Sequence, residues 1–163
     1  MINGIYKIDS YDKLQNCLDI ILLSYKKRDE ELKLREDTHR HTYLSFDELK
    51  TMYDKGIKMY GYYDNDIQVG FVSFDIRETN IKIKDIVVFP NYQNKGIGKE
   101  LLNFVKEIAI KDNKQKLVLG MIDANEKLKN WYLKYGFVIT DIITYPTQKV
   151  AYLEYDLNKG CDY

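Results

Sequence analysis

Between Ile86 and Leu102 an apolar strand end, Ile86-Val87-Val88-Phe89, runs into Pro90 and then, past two glycines, into a helix. Pro90 has no N–H for a sheet ladder and disfavours helix at Phe89, so the strand stops there. Leu101, Leu102, Val105, Ile108 and Ala109 recur at helical spacing and predict an amphipathic helix beginning near Gly96 to Gly98. Gln93-Asn94-Lys95-Gly96-Ile97-Gly98-Lys99 therefore leads into a helix N-terminus. Backbone N–H groups there lack intrahelical partners and sit at the positive end of the macrodipole, which suits phosphate oxygens. Gly96 and Gly98 remove side chains that would obstruct a pyrophosphate, and Lys95 and Lys99 add positive charge.

The flanking sequence extends this unit into a mixed α/β layer domain spanning residues 1–163. A short strand is expected around Ile5, and Leu14, Cys17, Leu18, Ile21, Leu22 and Tyr25 mark a first helix. Its charged exit, Lys26 to Glu31, reads as a surface helix end or a loop. Ser45-Phe46-Asp47-Glu48 has the form of a capping box and predicts a second helix to about Lys55. Met59–Tyr63 and Val69–Phe74 form a hairpin through Asp64-Asn65-Asp66. From Ile81 to Val88, Ile81, Ile83, Asp85 and Val87 share one face of a strand, with Lys82 and Lys84 on the other. The continuous apolar run from Ile86 to Phe89 implies that this strand end is covered on both faces or that a bulge breaks its alternation. Lys116–Met121 is the next strand, and Asn125 opens a helix with Leu128, Trp131, Tyr132 and Tyr135 on its stripe and Gly136 as its stop. Phe137–Ile143 and Val150–Leu157 complete the sheet, giving the order β-α-α-β-β-β-α-β-α-β-β.

Two familiar phosphate loops fail on spacing. A P-loop needs a glycine where Gln93 stands and a Ser or Thr where Glu100 stands. A Rossmann fingerprint needs a small residue where Leu101 stands and an opening parallel β-α-β unit. By itself, the Gly-x-Gly would more readily describe a tight strand-to-helix turn.

Gln93-Asn94-Lys95-Gly96-Ile97-Gly98 resembles the Q/R-x-x-G-x-G/A signature of the GNAT superfamily of N-acyltransferases. Asn125 to Phe137, with Asn125, Tyr132, Gly136 and Phe137 in register, is similar to that family's later N-x6-Y-x3-G-F helix. The resemblance covers about Met59 to Leu157, and the first two helices by position. It implies a mainly antiparallel sheet of about seven strands, flanked by about four helices and splayed between strands 4 and 5. It also implies transfer of an acetyl group from acetyl-coenzyme A to a primary amine, by direct attack in a ternary complex. The backbone of Ile86, Val87 and Val88 would bind the pantetheine arm, and Asn94, Lys95, Gly96, Ile97, Gly98 and Lys99 the pyrophosphate. Asn125 matches the asparagine that bonds the pantetheine, and Tyr132 the tyrosine near the sulfur, which would protonate the departing thiolate.

Tyr132 also belongs to what would be a core stripe in any amphipathic helix. Some relatives carry a glutamate base on the fifth strand where Gly120 stands here. Asp85 on the apolar strand face is then the next candidate base, with a surface acid beside a bulge as its plain alternative. His39 and His41 lie in the polar loop before the second helix, and His41, in a loosely family-like His-Thr-aromatic stretch, is the better candidate to accept an amine proton. Both also fit ordinary solvated loop residues. Trp131 and Cys17 are assigned to packing.

Lys plus Arg and Asp plus Glu both total 25, so no overall field favours nucleic acid or membrane, and any charged site must be local. Cys17 and Cys161 make neither a disulfide framework nor a metal cluster, and no metal is expected. The start lacks a signal-peptide layout and no apolar run reaches a membrane span, so a cytoplasmic protein is expected. The acceptor, a small-molecule or protein amine, and the choice between monomer and homodimer stay open. A non-catalytic acyl-coenzyme A binding module on the same fold is the second reading.

Overall fold

The computed structural model describes residues 1–34 and 44–158. Leu14, Cys17, Leu18 and Ile21 recur every three or four residues and are buried along α1 (Leu14–Leu32), which continues through the charged run to a left-handed cap at Lys33. Ser45 Oγ accepts the Glu48 N–H and starts α2 (Phe46–Asp54) as the capping sequence implies. β1 (Gly4–Lys7) precedes α1 in the chain, and β2 (Lys58–Asp64) and β3 (Ile67–Ile76) follow α2. Asn65 and Asp66, both at positive φ, turn β2 into β3 as a two-residue hairpin. β4 (Asn80–Val88), α3 (Ile97–Lys111), β5 (Lys116–Ile122), α4 (Glu126–Tyr135), β6 (Val138–Thr144) and β7 (Lys149–Asp156) complete the chain order.

The strands form one sheet in the order β1-β2-β3-β4-β5-β7-β6, antiparallel at every pairing except β4 with β5. Leu101, Leu102, Val105 and Ala109 of α3 and Tyr132 of α4 pack with Val72, Phe74, Ile81, Ile83 and Leu117 on one face. Ile21, Leu49, Phe71 and Val87 build a second cluster on the other face, beneath α1 and α2. Each large apolar side chain buried in these layers contributes roughly 1.5–3 kcal/mol. No helix among the described residues is long and apolar enough to cross a membrane.

The expected grouping of Ile81, Ile83, Asp85 and Val87 on one face is corrected. Ser73 pairs with Asp85 and Phe74 with Ile83, so Lys84 is an extra residue and the register shifts. This bulge turns Asp85 and Val87 toward α1, while Ile81 and Ile83 stay on the α3 side. Ile86 and Val88 pack against the α3 cluster and Val87 within the α1 cluster, so this strand end is both bulged and covered on both faces. A bulge adds local twist, and pairing of β4 with β5 stops just before it, at Lys82 with Val118. Beyond that point the two strands have no ladder partners in each other.

Candidate functional site

The gap left between β4 and β5 is a cavity of about 220 Å³ lined by Tyr25 and Arg28 of α1, Asp85 to Val88 of β4, Leu119 to Ile122 of β5, and Asn125 and Tyr132. A wider cleft of about 640 Å³ shares Ile86, Val88, Asn125 and Tyr132 with it and runs to Gly96, Ile97, Gly98 and Lys99. The wider cleft is lined by Lys27, Arg28, Lys99, Lys127 and Lys134 against a single carboxylate, Glu31. A chain with no net charge thus holds a locally cationic groove.

At the wide end, Asn94 and Gly96 adopt left-handed φ values of 64° and 85°, which fold the loop back onto the start of α3. Gly96 is the N-cap, and its carbonyl accepts from Glu100 N–H. The N–H groups of Ile97, Gly98 and Lys99 precede the first intrahelical donor and are left for an anion. A side chain at Gly98 would begin at ordinary contact distance, 3.5 Å, from the Trp131 ring, so the glycine keeps the cleft open there and the fold does not need it. Gln93 plays a bracing part: its Nε2 donates to Val88 O at 3.0 Å, and its Oε1 accepts from Lys27 Nζ at 3.0 Å. Lys95 lies over the Tyr92 ring, 5.2 Å from its centroid.

In the middle, the Phe89 N–H bonds Val69 O of β3, so strand alternation turns Val88 and Ile86 the other way, toward the gap. Val88 O is already taken by Gln93 and by Ser24 Oγ at 3.2 Å. The N–H groups of Ile86 and Val88 face the space that β5 has vacated. Asn125 caps α4 by accepting from Leu128 N–H at 3.2 Å, which leaves its amide N–H₂ for the cleft it lines.

At the narrow end Tyr132 is buried, and its phenol is pushed above the ordinary tyrosine range, first by burial and then by the charge of Asp85. Asp85 is buried between two neutral donors, Tyr25 Oη from α1 and Ser73 Oγ from β3, the latter at 3.0 Å. No Lys or Arg among the described residues forms an ion pair with it.

A sequence profile of the acetyltransferase (GNAT) domain family matches residues 23–148. The chain belongs to that family. Thialysine N-epsilon-acetyltransferase of Mus musculus is 34% identical over 53 residues, which make up 32% of this GNAT chain and 31% of the mouse enzyme. The match thus spans about a third of the length of that curated relative. A PaiA N-acetyltransferase from Thermoplasma acidophilum, solved in complex with coenzyme A, superposes with a TM-score of 0.77 at 21% identity, covering 96% of this chain and 99% of its own. A GNAT acetyltransferase from Elizabethkingia anophelis with acetyl-CoA bound gives 0.60 at 27% identity, over 67% and 82% of the two chains.

The structure brings together Asp85, Ile86, Val87, Val88, Gln93, Asn94, Gly96, Ile97, Gly98, Lys99, Asn125 and Tyr132 along one groove. His41, like His39, lies outside the described residues. Ser24, Tyr25 and Arg28 enter the site without having been singled out from sequence. Tyr25 read as core and Arg28 as solvated charge, yet Ile21, Tyr25 and Arg28 are spaced four and three residues apart on one helical stripe. That stripe was the available signal.

Proposed function

We propose that this GNAT protein is an N-acetyltransferase that moves an acetyl group from acetyl-coenzyme A to a primary amine in a ternary complex. The carrying observation is a pair of adjoining cavities that share Ile86, Val88, Asn125 and Tyr132, with helix N-terminal donors at the wide one and a buried phenol and carboxylate at the narrow one. The thioester supplies an activated acetyl group. Its pyrophosphate suits the N–H groups of Ile97, Gly98 and Lys99, with Lys95 and Lys99 as nearby cations. Asn125 and the vacated edge of β4 suit the amide-rich pantetheine arm.

Asp85 binds the acceptor as its ammonium and removes one proton, which frees the nitrogen lone pair. The backbone N–H groups of Ile86 and Val88 polarise the carbonyl under attack. Tyr132 gives its proton to the departing sulfur and regains one from the acylated nitrogen, so the single net proton released leaves from Asp85. The mouse relative, named for an N-epsilon-acetyltransferase, supports an amine as acceptor. Small-molecule and protein amines both fit this chemistry.

Calorimetric titration with acetyl-coenzyme A tests the reading. Wild type should bind with affinity on the order of micromolar, and Gly98→Glu, which the fold accommodates, should lose that binding by placing bulk and negative charge at the helix start. Absence of binding by folded wild type would reduce the family resemblance to fold alone.

A further inference from the structure

Asp85 reaches the cavity through a chain of contacts that begins in α1. Asp29 is buried and accepts from Arg28 Nε at 2.9 Å and Nη2 at 2.7 Å. Held this way, the Arg28 guanidinium lies over the Tyr25 ring, 4.4 Å from its centroid. Tyr25 in turn points its hydroxyl across the layer to Asp85 Oδ1, and Ser73 takes Oδ2. An ionised carboxylate offers about four acceptor positions. One hydroxyl on each oxygen pins the group in a single rotamer and leaves acceptor positions on both oxygens. Asp85 and Tyr132 line the same cavity.

We propose that Tyr25 is a positioning residue for acyl transfer: from α1 it holds the Asp85 carboxylate, with Ser73 as its counterpart on β3, so that the acceptor ammonium meets the carboxylate beside the thioester. The proposal rests on the reading of Asp85 as the group that binds and deprotonates the amine. The proton moves from the ammonium nitrogen to an Asp85 oxygen, breaking an N–H bond and forming an O–H bond. Tyr25 and Ser73 remain protonated donors throughout. Among the described residues, the titratable or charged groups around Asp85 are Tyr25 and Arg28 from α1, Lys84 on its own strand and Tyr132 from α4. Ser73 completes the set from β3.

The experiment is a pH-rate series at saturating acetyl-coenzyme A for wild type, Tyr25→Phe, Ser73→Ala and Asp85→Asn, using whichever of lysine, spermidine and a tripeptide with a free N-terminus is acetylated fastest by wild type. Tyr25→Phe should lower kcat roughly tenfold and shift the acidic limb of kcat/KM. Ser73→Ala should move it in the same direction, and both variants should bind acetyl-coenzyme A as wild type does. Asp85→Asn should remove the limb together with most of the activity. If Tyr25→Phe loses thermal stability but keeps wild-type kcat and the wild-type limb, Tyr25 is structural only and the proposal is overturned. If Asp85→Asn keeps activity and limb, the reading of Asp85 fails, and the proposal with it. Wild type that acetylates none of the three amines would overturn the transferase reading itself.

Discussion

At the scale of single residues, the proposed acid and base, Tyr132 and Asp85, differ in their surroundings. Burial penalises a phenolate, and the nearby Asp85 charge penalises it further, so Tyr132 keeps its proton across neutral pH, as a donor must. Because the shift is upward, no alkaline loss of kcat from Tyr132 should begin below about pH 10, the ordinary phenol range. A pH-rate profile that falls near neutrality and loses that fall in Tyr132→Phe would contradict this. Tyr132→Phe should lower kcat by roughly 10- to 100-fold with little change in KM for acetyl-coenzyme A, which steady-state kinetics resolves. At Gly98 an added Cβ would meet the Trp131 ring at an ordinary 3.5 Å, so a substitution there tests the proposed anion site with little demand on the fold. The Tyr132 motif was readable in sequence because its partners Asn125, Gly136 and Phe137 are local. Tyr25 was not, since its hydroxyl bonds a residue 60 positions away.

At the scale of elements, the decisive irregularity is the bulge at Lys84. Strand alternation alone aligns Asp85 with Ile81 and Ile83, and one extra residue reverses that. Deleting Lys84 should remove the bulge yet leave Asp85 beside Ser73 on the α1 face, because Asp85 would then directly follow Ile83 and alternate with it. No carboxylate is moved into the α3 cluster, so the midpoint of urea unfolding should stay close to that of wild type. A midpoint lowered by several kcal/mol would mean that the strand re-registers and turns Asp85 into the apolar α3 face. The apolar run Ile86 to Phe89 signalled an interruption without locating it, because a bulge is positioned by the partner strand. α1 teaches the same lesson. Its charged end, Lys26 to Leu32, is helical, with Asp29 buried and paired to Arg28, a pairing that sequence periodicity does not weigh.

For the whole molecule, the groove depends on two halves of one sheet separating after Lys82 and Val118 while α1, α3 and α4 stay packed around the gap. A ligand spanning that groove ties these elements together only in the folded state. Acetyl-coenzyme A at a hundred times its Kd should therefore stabilise the protein by about 2.7 kcal/mol, seen as a rise in Tm that Gly98→Glu does not share. An equal rise in both proteins would place binding elsewhere. The sequence by itself determined the element order, the hairpin at Asn65-Asp66, the caps at Ser45, Asn125 and Gly136, and the helix-start loop from Gln93 to Lys99, since each is written in residues close along the chain. Only the tertiary structure decided which face Asp85 takes and that Tyr25, Ser73 and Tyr132 converge around it. It likewise left β6 on the edge of the sheet with Ile139, Ile142 and Ile143 exposed, although its composition suits a buried strand. The physical reason is the same in each case: burial and facing depend on which distant strand or helix lies alongside, and local periodicity holds no record of that partner.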